Sequence, residues 1–131
     1  MKKATHWLCS AVLILLVLAT FGRAVLGGIF YIGDIFQLHL PLRTAYAEAL
    51  ARGAVPLWNT NVMGGYPLLA EGQLGALYPL NLLLHSLLPV PVALNVFVLL
   101  HFLWAALGVY AFTRRLRLLP AAGVLSALVY A

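Results

Sequence analysis

Three carboxylates are all that this chain of 131 residues offers for acid–base chemistry: Asp34, Glu48 and Glu71. Asp34 stands in "GDIFQLHLP" (33–41), just past a long run without formal charge. A carboxylate there has two physical uses. It can cap a short helix, "IFQLHL", by accepting a backbone N–H, or it can serve as a general base. Glu48 precedes Arg52 by four residues in "PLRTAYAEALARG", so the two form a helical i,i+4 pair worth ~0.2–0.5 kcal/mol. Its ordinary role is that of a solvated helix charge. Glu71 lies in a turn-rich loop, where an exposed glutamate is the plain reading and a second acid or metal ligand the sharper one. His85 and His101 sit on apolar stretches as packing or hydrogen-bonding side chains, and Asn95 is placed to bond across helices. The single cysteine, Cys9, excludes a disulfide framework.

The elements that must position these groups follow from composition. Hydrophobic residues make up 64% of the chain and charged residues 8%, against roughly 25% charged in a soluble domain. Too little polar surface remains to cover a water-soluble globule, so the chain reads as an integral membrane protein. Its basic excess does not indicate nucleic acid. Lys2, Lys3, Arg114, Arg115 and Arg117 flank apolar runs, as the positive-inside rule expects, and no basic patch interleaved with aromatics exists for bases to stack on. The start resembles a secretory signal in its basic residues, but Arg23 between Gly22 and Ala24 makes a poor cleavage site. An uncleaved span is expected.

The fold class expected is all-α: a polytopic integral membrane protein, read as an N-terminal fragment with a large outer loop. A first span occupies about 7–28, with Arg23 snorkelling at the far interface and Gly27–Gly28 permitting a bend. The second covers about 92–113 and stops at "RRLR". A third begins near 118 and runs to 131, too short to cross. Between the first two lies an outer loop of about 30–90, with interfacial helices near 41–52 and 79–88. Pro41 suits a first helical turn and Gly53 a C-terminal cap, while Leu42, Ala45, Tyr46, Ala49 and Leu50 form one apolar stripe, expected to lie on the membrane surface. A crossing by residues 74–88 would put "RRLR" opposite Lys2 and Lys3, against the positive-inside bias. The N-terminus is therefore cytoplasmic, and all three acids are outside.

"GDIFQLHLP", then "GAVPLWNTNVMGGYPLLAEGQLGALYP" (53–79), then an apolar span ending in a basic cluster, resembles the N-terminal part of YfhO-like bacterial membrane proteins of the GT-C glycosyltransferase class. The resemblance runs from about Ile29 to Ala131 and is carried by Pro56-Leu57-Trp58-Asn59, Gly64-Gly65, Pro67, Gln73 and Tyr78-Pro79. It implies a cell-envelope enzyme that transfers a sugar from a polyprenyl-phosphate donor to an extracytoplasmic acceptor. Asp34 matches the position of the catalytic carboxylate in the first outer loop. Substrate contacts are implied for Gln37, His39, Arg43, Trp58, Asn59, Gln73 and Tyr78.

Such a transfer needs a base for the acceptor hydroxyl and a counter-charge for the departing phosphate. Arg43 or His39 could supply the latter, Arg being the better fork-shaped match. Ile35 stands where such loops often carry a second acid, which argues against a paired-carboxylate site. The cofactor stays open; for a divalent metal, Asp34 and Glu71 are the candidate ligands. The implied partners are membrane lipid, the lipid-linked sugar and the acceptor, with no nucleic acid. The competing reading is a non-enzymatic membrane component, such as a transporter or flippase subunit or an assembly protein. Transport pathways place ionisable residues inside spans, whereas the spans here, apart from Arg23 at the far interface, hold little of that kind beyond His101 and Asn95.

Overall fold

The structure, a computed structural model, describes residues 2–22, 27–28, 33–62 and 64–131, with Lys2 and Lys3 as backbone only. Residues 23–26 of the expected first span (about 7–28), Arg23 among them, lie outside the described residues. All named elements are helical: α1 (Lys2–Thr20), a π-helix (Ile35–His39), α2 (Leu40–Ala51), α3 (Pro79–Leu87), α4 (Val90–Arg115) and α5 (Pro120–Tyr130). The chain divides into two compact units. One holds residues 1–26 and 98–131, the other residues 27–97.

Among the described residues, α4 is the helix long and apolar enough to cross a membrane. Its 26 residues extend ~39 Å, beyond the ~30 Å hydrocarbon core. Its most apolar window has a mean hydropathy of 2.2 and is only 22% buried within the protein. It is thus unlike the core helix of a soluble domain, which hides its apolar surface. The uncharged part of α1, Ala4–Thr20, is shorter, about 25 Å, and so is α5.

In the first unit, Leu13 and Val17 of α1 pack with Ala106 and Tyr110 of α4 and Ala127 of α5. Phe21 stacks on Phe102 with ring centroids 4.5 Å apart, and His6 Nδ1 lies 3.2 Å from the Tyr110 hydroxyl. Small residues let the last two helices approach. A side chain at Gly123 would begin 2.7 Å from Thr113 Oγ1 and 3.1 Å from the Tyr110 ring, the close backbone approach that membrane helices use in place of a hydrophobic drive. The outward faces carry Trp7, Leu15, Phe112, Leu125 and Val129, all exposed.

The second unit is built on α2. Pro41 lies in its first turn. It ends in a Schellman motif: Ala54 N–H donates to Ala49 O at 2.9 Å and Gly53 N–H to Leu50 O at 2.9 Å, with Gly53 at φ +65°. The same motif closes α4, where Leu118 N–H donates to Thr113 O at 3.2 Å and Arg117 N–H to Arg114 O at 3.1 Å. There the left-handed position is Arg117, at φ 60°, which costs a side-chain-bearing residue ~1–2 kcal/mol. Arg117→Gly is therefore expected to raise stability by about 1 kcal/mol, read as a higher Tm of the purified protein. An unchanged or lower Tm would refute this account of the turn.

One expectation needs correction. The apolar stripe of α2 does not face lipid, because Leu42 and Tyr46 are buried with Leu68, Leu74 and Ala76. The reason lies in the loop from 66 to 78, which is apolar enough to fold back over the helix and is anchored there: the Tyr46 hydroxyl donates to Ala76 O at 2.7 Å. The second expected interfacial helix, α3, likewise buries Asn81, Leu84 and His85, leaving Leu83 and Leu87 exposed.

Candidate functional site

The segment that presents Asp34 is a wide helical turn. Leu40 N–H reaches back to Ile35 O, a five-residue step, so the chain is wound as a π-helix before it tightens into α2. Single π-turns of this kind are frequent at functional sites. Asp34 occupies the N-cap position at φ −61°, ψ −25°, yet its side chain makes no capping hydrogen bond. A cap residue normally sits in the β region to aim its oxygen at the first turn, and these helical angles prevent it. The carboxylate is exposed, as is Gln37 three residues on.

Glu71, by contrast, is fully engaged. Its Oε2 accepts the Tyr66 hydroxyl, and its Oε1 accepts Gln73 N–H at 3.1 Å. The Tyr66 hydroxyl, followed by the Gln73 amide, holds its carboxyl below the usual range, partial burial opposes this, and the nearby His39 adds to the lowering. Glu71 is a loop staple. Gln73 enters through its backbone and keeps its side chain at the surface.

Arg43 lies elsewhere than expected. Its guanidinium is buried, 4% exposed, sits 5.1 Å from the centroid of the Phe97 ring and donates through Nη1 to Asn81 Oδ1 at 3.0 Å. Its Nε has no hydrogen-bond partner. Burial pulls the guanidinium below its ordinary value, and the neighbouring Tyr46 works against that. As folded, Arg43 is an internal key and not a surface grip for phosphate. Asn81 completes it by donating through Nδ2 to Leu74 O at 2.8 Å and Gly75 O at 3.0 Å. Sequence reasoning assigned Asn81 no role, although an amide inside "PLNLLLHSL" was the signal that could have found it.

His85 belongs to the same interior. It packs edge-on to Tyr46 and its Nδ1 lies 3.2 Å from Asn81 O, the geometry of an N–H donated to a carbonyl. Burial first, and the Arg43 charge second, push its pKa down to about 4 from 6.5, while the Asn81 hydrogen bond opposes them. The unfolded chain binds a proton near pH 6.5 that the folded one refuses until about pH 4. The stability this confers is therefore whole above about pH 6.5 and is lost as pH falls through about 4. At ~1.4 kcal/mol per pH unit, discounted for partial hydration, the loss is about 2 kcal/mol. We expect the Tm to fall between about pH 6.5 and 4.5, and His85→Gln to flatten much of that slope. An equally steep slope in the variant would refute it.

The loop from 53 to 79 is ordered by a short antiparallel bridge. Asn59 N–H donates to Tyr66 O and Tyr66 N–H to Asn59 O, both at 2.8 Å. Trp58 lies over Gly65, whose φ is +134°; a side chain there would begin 2.5 Å from the indole nitrogen, so only glycine fits beneath the ring. Trp58 itself is 57% exposed. Tyr78 is exposed and sets its ring edge-on to Phe97, with centroids 5.9 Å apart. Asn59 is buried. Asn95 donates to Gly28 O, and His101 packs edge-on to Trp104.

The structure thus brings His39, Gln73 and Glu71 together and places Arg43 beside Asn81 and Phe97. Among the described residues, no group of three or more His, Cys, Asp or Glu side chains is gathered where it could hold a metal ion. No protein-family model, no curated protein and no solved structure matches the chain.

Proposed function

We propose that the chain supplies the catalytic outer segment of a multi-pass GT-C-type membrane glycosyltransferase. The enzyme moves a sugar from a polyprenyl-phosphate donor to an extracytoplasmic acceptor, and its N-terminus is cytoplasmic. The observation that carries this reading is Asp34. Of the three acids, Glu71 is consumed by Tyr66 and Gln73 and Glu48 lies mid-helix in α2. Asp34 alone stands exposed at the head of a π-helix without capping it. Further support comes from the outward apolar surface of α4, from basic residues at the ends expected to be cytoplasmic, and from the resemblance to YfhO-like proteins over 29–131.

In this reaction the acceptor hydroxyl attacks the anomeric carbon as the bond from that carbon to the phosphate oxygen breaks. The hydroxyl proton passes to the Asp34 carboxylate, and the polyprenyl phosphate leaves as an anion. His39, half-buried at the end of the π-helix, is the side chain that would hydrogen-bond the departing phosphate, since Arg43 is enclosed. Trp58, Tyr78, Gln37 and Gln73 are exposed at the surface where the sugar or the lipid head group would be met. The test is transfer of radiolabelled sugar from polyprenyl phosphate by membranes holding the protein as its host makes it, with Asp34→Asn beside it. Undiminished labelling in the variant overturns the reading.

A further inference from the structure

A groove of 440 Å³ opens along α2, between that helix and the bridge-ordered loop. It lies within the ~300–1,000 Å³ range of small-molecule sites. Phe36, Leu40 and Val62 give it apolar walls, and Glu48, Asn59 and Asn61 bring polar groups to them. Among the described residues, Glu48 is the only charged side chain in its lining.

Asn59 shows that the groove is more than a surface notch. The side chain is 6% exposed, and its Oδ1 is held by Asn61 N–H at 3.0 Å. A backbone N–H can only donate, so the carbonyl oxygen of the amide must face it and the NH₂ must point the other way. Among the described residues that NH₂ meets no hydrogen-bond acceptor, and it is not among the atoms sealed from solvent, which leaves it open to the groove that Asn59 lines. An amide donor open to a groove is satisfied by water there and is available to the acceptor oxygen of a ligand that displaces it.

We propose that this groove is a saccharide-binding site, and, resting on the glycosyltransferase reading, that the saccharide is the acceptor. The chemistry fits a neutral polyol. The Glu48 carboxylate offers two acceptor oxygens to a pair of neighbouring hydroxyls, and the Asn59 NH₂ donates to a hydroxyl oxygen. Phe36, 48% exposed, gives the C–H face of a sugar ring an apolar surface. A phosphate or other anion is disfavoured, because the Glu48 carboxylate in the lining is negative. The donor head group therefore belongs elsewhere, and the groove is left to the uncharged partner.

The experiment is saturation-transfer NMR on the full chain in lipid nanodiscs with maltose, cellobiose, chitobiose and methyl mannoside, and with putrescine as a cationic control. At least one saccharide is expected to bind. Glu48→Gln, at an exposed position, is expected to weaken it about tenfold, the loss of one charge-assisted hydrogen bond. Phe36→Ala provides an independent second reading and is expected to weaken it severalfold. No saccharide binding to the folded protein, binding that neither variant changes, or binding of putrescine alone would overturn the proposal. Binding is read without turnover, so the two ideas separate. Saccharide binding by a protein that never transfers sugar sinks the enzyme and keeps the groove, whereas transfer that is indifferent to Glu48→Gln sinks the groove as acceptor site and keeps the enzyme.

Discussion

Asp34→Asn is expected to lower sugar transfer per folded molecule by about 10²–10⁴-fold, the usual contribution of a general base. The substitution keeps the shape of the side chain and removes its charge and basicity. Asn and Asp are comparable helix caps, and the carboxylate makes no capping hydrogen bond to begin with. Membrane abundance and Tm should therefore stay at the wild-type level. A helix-cap role makes the opposite forecast: about 1 kcal/mol less stability and normal activity in the molecules that remain folded. Activity normalised to folded protein separates the two. Arg52→Gln, exposed at the C-terminal end of α2, is the control and should transfer normally. If Asp34→Asn kept more than about a tenth of wild-type turnover, the base assignment would fail, since even the smaller catalytic factor is larger than that.

The second large effect is structural and centres on Asn81. Asn81→Leu takes the acceptor from a buried guanidinium and the donor from two carbonyls, those of Leu74 and Gly75. Each neutral group stranded in the interior costs ~1–3 kcal/mol, and a charged one more. The sum should reach about 3–5 kcal/mol, comparable to the loss from breaking a buried charge interaction. That is a large fraction of a domain's ~5–15 kcal/mol. The double variant Arg43→Met/Asn81→Leu removes the stranded charge as well, and apolar groups of similar shape often replace a buried polar pair at little cost. It should recover part of the loss and leave the share due to the two carbonyls. Tm values of the two single variants and the double would give the coupling directly. Additive effects would mean that Arg43 and Asn81 do not depend on each other, contrary to the geometry.

Glu71 and Arg43 show most plainly what escaped a reading of residue types. Both are charged and both suggested contact with a ligand or solvent. Glu71 is instead a staple for its own loop, and Arg43 is an internal key. Residue type tells what a side chain can do; the fold decides which of its abilities are already spent. Glu48 went the other way, from a solvated helix charge to a charged side chain lining a groove.

What the sequence determined by itself was local or compositional. Pro41 and Gly53 bracket a helix found at Leu40–Ala51, because caps and turns depend on neighbours within a few residues. The apolar run after Pro91 became α4, because nothing in it interrupts helical hydrogen bonding and its side chains favour an apolar surround. An all-helical chain followed from the same patterns. Only the tertiary structure could show that the α2 stripe faces Leu68, Leu74 and Ala76 and not lipid, since an apolar stripe is equally satisfied by either. Only it could pair Tyr46 with Ala76, 30 residues away, and Arg43 with Asn81, 38 away. No local rule reaches across such loops. Those contacts are chosen when the loop from 66 to 78 closes over α2, where a buried donor must find whichever acceptor the closed chain brings near.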